Sequence, residues 1–101
     1  QPRPETRGET RAGQAQQAAA LYQKILKTAP NNAAALHNLA TALWQTGQAR
    51  QALPQVRKAL RLKPGDASVY NTLGLIQTSL QDYVAAEDSF IRAVTLRPDY
   101  A

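Results

Sequence analysis

Cysteine and methionine are absent from this 101-residue sequence, and histidine, tryptophan and phenylalanine occur once each. Without thiols there is no disulfide, no finger-type zinc site and no cysteine nucleophile, while the redox compartment stays open. His37, the single histidine, cannot assemble a metal site without distant carboxylates. The five glycines are scattered, and none falls in a GxGxxG or GxxxxGKS/T phosphate loop. Carboxylates are few, and the one grouping at helical spacing, Asp82, Glu87 and Asp88, reads as solvated charge flanking a surface helix. No apolar run approaches the roughly 18 residues that cross a bilayer, and the first residues lack the apolar stretch of a signal peptide. These absences leave no catalytic constellation, so no enzymatic activity, cofactor or metal is expected. A chain without methionine is also expected to be processed or cut from something longer.

What the sequence does hold is Ala, Leu and Gln: hydrophobic residues make up 44%, much of that share good helix formers that tolerate close helix approach. The net charge of +5, from 12 basic and 7 acidic side chains, bears on partners rather than fold. Residues 1–12, with Pro2, Pro4, Gly8 and alternating charges, read as a tail. Beyond them one interval organises everything. Pro30, Pro64 and Pro98 stand 34 residues apart, and the same step relates Ala18, Ala52 and Ala86, then Tyr22, Val56 and Phe90, then Leu26, Leu60 and Val94. It also carries Leu36 to Tyr70, Leu39 to Leu73, Ala40 to Gly74 and Ala59 to Ala93.

Within each period apolar residues recur every three or four positions, as in Leu36, Leu39, Ala40 and Leu43, the mark of one helix face. Each period holds two helices, parted at Thr46-Gly47 and near Gln81-Asp82, and closes on a proline that ends the second helix. The pattern predicts helices over 12–28, 33–46, 49–62, 67–80 and 83–96, with a half repeat at 13–32 and full repeats at 33–66 and 67–100. Pro54, inside the third helix, is expected to kink it by removing a bond to the Arg50 carbonyl. Gln77 is expected to pack less tightly or to exchange a polar contact.

These residues resemble the tetratricopeptide repeat, whose pattern runs W-x2-L-G-x2-Y, then A-x3-F, then P. The later repeat offers Tyr70, Leu73, Gly74, Ala86, Phe90, Ala93 and Pro98; the earlier one offers Leu36, Leu39, Ala40, Leu43, Ala52, Val56, Ala59 and Pro64. Gly13, Ala18, Tyr22, Ile25 and Pro30 match the second helix of a preceding half repeat. The resemblance spans residues 13–101 and implies an all-α fold: antiparallel helix pairs stacked into a short right-handed α-solenoid. It also implies a function, the binding of a peptide or protein segment in the concave groove lined by the first helix of each pair.

Carried over by phase, that wall comprises His37, Asn38, Thr41, Trp44 and Gln45 from one repeat and Asn71, Thr72, Leu75, Thr78 and Ser79 from the next. Amides offer donors and acceptors to a bound backbone, and Trp44 offers a rigid apolar anchor or else a brace between helices. Of the Lys, Arg and Asn set by which some relatives grip a C-terminal carboxylate, only Asn38 is matched, so no such clamp is expected. Positive charge gathers instead on the other helix of the pair, at Arg50, Arg57, Lys58 and Arg61, where a nucleic-acid role is the lesser reading because aromatics are not interleaved. Two further expectations follow from the resemblance. The repeats are alternatively the recognition segment of a larger enzyme, such as a bacterial glycosyltransferase or sulfotransferase. The last helix, lacking a polar cap, is expected to support self-association, with Leu21 and Ile25 forming a second apolar edge at the other end.

Overall fold

The computed structural model describes residues 12–97, which form five helices in antiparallel succession with no strand among them: α1 Ala12–Thr28, α2 Ala33–Gln45, α3 Ala49–Leu62, α4 Ala67–Ser79 and α5 Tyr83–Leu96. The helices fall where the 34-residue pattern predicts them, α2 and α4 each closing one residue early. Apart from Ala12, which opens α1, the expected tail lies outside the described residues.

Local chemistry sets the helix ends. After each proline turn a short polar side chain caps the next helix: Asn32 Oδ1 accepts from the Ala35 N–H at 3.0 Å, and Asp66 Oδ1 accepts from the Ser68 N–H at 3.0 Å and its hydroxyl at 2.7 Å. The turns inside each pair share one construction. The Gln48 N–H reaches the Leu43 carbonyl and the Gly47 N–H reaches Trp44; 34 residues on, Asp82 reaches Gln77 and Gln81 reaches Thr78. This is the Schellman closure, which requires a left-handed residue just past the helix. Gly47 fills it at φ 81°, and Gln81 fills it at φ 65°, where a side chain is strained. Pro54 does not divide α3, which continues through it to Leu62 with the proline exposed.

The helices pack as neighbours in sequence. One core cluster runs from Ala15 and Ala19 of α1 through Leu36, Leu39 and Leu43 of α2, Ala52, Val56 and Ala59 of α3, to Val69, Leu73 and Ile76 of α4. Alanine at Ala40, Ala52 and Ala59, each fully buried, lets backbones approach while Val56 and Ile76 fill the space between them. The later pair is closed differently. The Phe90 ring lies where a side chain on Gly74 would stand, an ideal Cβ there falling 2.5 Å from Cε1. Gln77, only 6% exposed, accepts a 2.6 Å hydrogen bond from the buried Ser89 hydroxyl, the polar contact expected of it. A buried amide is tolerated because that bond replaces water.

Among helices two apart in sequence, α2 and α4 pack directly on each other, whereas α1, α3 and α5 stand further apart. The first helices of the pairs therefore form the inner, closed side of the stack, and the second helices splay outward.

Candidate interaction surface

Inner-face side chains come from α2 and α4 and divide into those that tie the helices together and those left for a partner. His37 Nε2 and Thr72 Oγ1 share a 2.8 Å hydrogen bond, and the Trp44 indole N–H donates to Ser79 Oγ, also at 2.8 Å. Both links join residues 35 apart, one helical heptad from each other, so they form two rungs between α2 and α4. Thr72 is buried and passes its own hydroxyl hydrogen to the Ser68 carbonyl at 3.1 Å. With that hydrogen committed, His37 Nε2 carries the donor proton. Burial holds the His37 pKa below its ordinary value, against a smaller upward pull from Asp66, so the ring is neutral near pH 7. Asp66 is itself held below the usual carboxylate range, first by the Ser68 hydroxyl and also by the Ser68 and Val69 amides.

The remaining wall residues are arranged around these rungs. Asn38, Gln45, Thr78 and Ser79 are exposed; Thr41, Trp44, Asn71 and Leu75 are half-buried. Thr41 and Thr78 turn their hydroxyls back to the carbonyls of His37 and Gly74. Nine of the ten expected wall residues are exposed or half-buried on α2 and α4, whereas Thr72 is buried and the polar tip of Trp44 braces the two helices. A cleft of about 120 Å³ opens beside His37 and Asn38, bounded by Lys63 and Asp66. From sequence Lys63 is grouped with the outer basic residues and Asp66 has no assigned role, although Asp66 stands one period after the capping Asn32 and its place follows from that step.

Outward, Arg50, Arg57 and Arg61 are exposed along α3 and Lys58 is half-buried. Together with Lys24, Lys27 and Lys63 they are the only charged residues between 12 and 63, a stretch without a single carboxylate. From residue 64 to 97 the balance reverses, with Asp66, Asp82, Glu87 and Asp88 against Arg92 and Arg97. The exposed Arg92–Asp88 pair at 2.9 Å, one turn apart on α5, adds little to stability. Among the described residues no group of His, Asp and Glu is placed to hold a metal ion, and no helix is long and apolar enough to cross a membrane.

Comparison with known proteins agrees with this architecture. A tetratricopeptide repeat model matches residues 9–76, and a second tetratricopeptide repeat model matches residues 67–100. No curated protein sequence matches the chain. Among solved structures, MamA 41-end from Desulfovibrio magneticus RS-1 and a MamA RS-1 ArsTM double mutant superpose with a TM-score of 0.80 at 29% identity. Each alignment covers 85% of this chain, and 49% and 48% of the respective relatives, so the chain spans about half their length. MamA MSR-1 C2, at 23% identity, shares the fold with a TM-score of 0.77 over 87% of this chain and 51% of its own. With the 34-residue step, the paired helices and the inner wall of α2 and α4 in place, the chain belongs to the tetratricopeptide repeat family and is a protein-interaction repeat scaffold.

Proposed function

We propose that this scaffold works without catalysis, receiving an extended or helical segment of another protein along the inner face of α2 and α4. The observation that supports this most is the pair of rungs, His37–Thr72 and Trp44–Ser79, which fix the wall before any partner arrives. A surface ordered in advance loses less side-chain entropy on binding. Between and beside the rungs, Asn38, Asn71 and Gln45 offer amide donors and acceptors suited to a peptide backbone. The half-buried Trp44 ring adds an apolar contact whose conformation its indole bond already sets.

None of the ten wall residues carries a full charge at neutral pH, so recognition here rests on hydrogen bonds and shape. Affinity then varies weakly with salt, in contrast to the steep dependence of a phosphate-binding surface. Selecting peptides from a display library against residues 1–101 supplies a ligand for the test. Asn38→Ala combined with Asn71→Ala is expected to weaken the selected peptide about tenfold to thirtyfold, at about 1 kcal/mol per hydrogen bond, with helicity unchanged. Unchanged affinity would move the site away from this wall, to the arginine-bearing side of α3.

A further inference from the structure

A groove of about 680 Å³ runs along α5 from Thr78 of α4, lined by Tyr83, Phe90, Ile91 and Val94 together with Glu87. Tyr83 and Ile91 are 61% and 56% exposed, unusual for large apolar side chains that line one contiguous trough. At the opposite end α1 presents Leu21, 57% exposed, beside the half-buried Ile25 on the following turn. Counterparts of Leu21 one and two periods later are Gln55 and the buried Ser89, so this apolar residue stands where the later repeats use polar ones. Each end of the stack therefore has its own apolar strip.

Charge distinguishes the two ends. Lys24 and Lys27 flank Leu21 and Ile25 within a stretch that has no carboxylate, whereas Glu87 borders the α5 groove and Asp82 precedes the helix. Glu87 is the one charged residue lining the α5 groove, so two such grooves brought together offer each other no opposite charge within the trough, and neither do two α1 edges. An α1 edge against an α5 edge places lysines opposite carboxylates with apolar residues between. We infer that the α5 groove is a docking surface for the α1 edge of a second copy of this chain, giving head-to-tail association.

Such a contact is heterologous: each copy that docks leaves one free head and one free tail, so association continues beyond the dimer. The contact uses one helix from each copy, at the small end of the interface range, and a dissociation constant of about micromolar or weaker is the expected strength. Opposite charges at the rim speed and orient docking, and salt screens them.

Sedimentation velocity of the full 101-residue chain, from micromolar to millimolar concentration, is the direct test. The weight-average sedimentation coefficient is expected to keep rising past the dimer value, and less steeply at 0.5 M salt. Leu21→Gln and Ile91→Gln, both at exposed positions, should each weaken association about tenfold or more while circular dichroism stays unchanged. Mixing the two variants restores one intact head and one intact tail, and a dimer that grows no further is the expected product. A folded monomer throughout would overturn the proposal, showing that each chain's own residues cover the strips. A closed dimer sensitive to Ile91→Gln but indifferent to Leu21→Gln would also overturn it, since α5 would then meet α5.

Discussion

The two full repeats solve the same packing problem with different residues. In the earlier one, Ala40 of α2 and Val56 of α3 occupy the positions that Gly74 and Phe90 occupy in α4 and α5, and both are fully buried. The later repeat moves volume from one helix to the other, removing the Cβ at Gly74 and filling that space with the Phe90 ring. Polarity is exchanged in the same way. Leu43, a core residue, becomes Gln77, and Gln55, half-buried on α3, becomes the buried Ser89 that donates to it. A repeat position thus prescribes a sum over two facing side chains more strictly than it prescribes either one, because interior packing density and hydrogen-bond satisfaction belong to the pair.

The largest effect is expected where that sum is broken. Gly74→Ala gives the later repeat the small residue of the earlier one but leaves Phe90 in its place, and the ring has to move. A loss of about 1–3 kcal/mol in urea unfolding is expected, the ordinary cost of overpacking. Adding Phe90→Val recreates the Ala–Val pair of the earlier repeat and should recover much of that loss, a coupling that a double-mutant cycle measures. Additive losses would show that the two positions are not compensating partners.

A smaller effect of opposite sign sits in the turn between α4 and α5. Gln81 adopts the same left-handed conformation as Gly47 but carries a Cβ. Gln81→Gly removes that strain, offset in part by the greater freedom of glycine in the unfolded chain, for a net gain of about 0.5–1 kcal/mol. Thermal denaturation reads it as a modest rise in Tm. The reciprocal Gly47→Gln should lower Tm by a similar amount.

The smallest effect separates the repeats by pH. His37 has Asn71 as its counterpart one period on, so only α2 carries a titrating group on the inner wall. Its pKa in the fold lies below 6.5, so folding favours the neutral ring. The resulting stability is complete above pH 6.5, declines as pH falls through that value, and levels off below the depressed folded pKa. Stability measured between pH 7.5 and 5 should show this decline, and His37→Gln should remove it. Acid loss from Asp66 belongs to a lower window, as its own depressed pKa is passed.

Much of this was legible without coordinates. The 34-residue step, the prolines and the three- and four-residue apolar spacing located all five helices to within a residue, because helix ends depend on neighbours in sequence. For the candidate site, phase alone put the wall residues on one face, since facing direction follows from position along a helix. Phase could not tell which of them would be spent on structure. That Thr72 receives His37 and Ser79 receives the Trp44 indole depends on the distance between α2 and α4, set by the side chains packed beneath them.

The sequence by itself therefore determined the fold class, the helix boundaries and the family, all of which rest on local periodicity and its repetition. Only the tertiary structure decided that Gly74 makes room for Phe90, that Gln77 is satisfied by Ser89, and that an apolar groove edged by Glu87 lies open along α5. Those outcomes turn on contacts between helices, where two side chains must share one volume or one hydrogen bond. A sequence records the two residues separately and leaves the space between them to the packing of the chain.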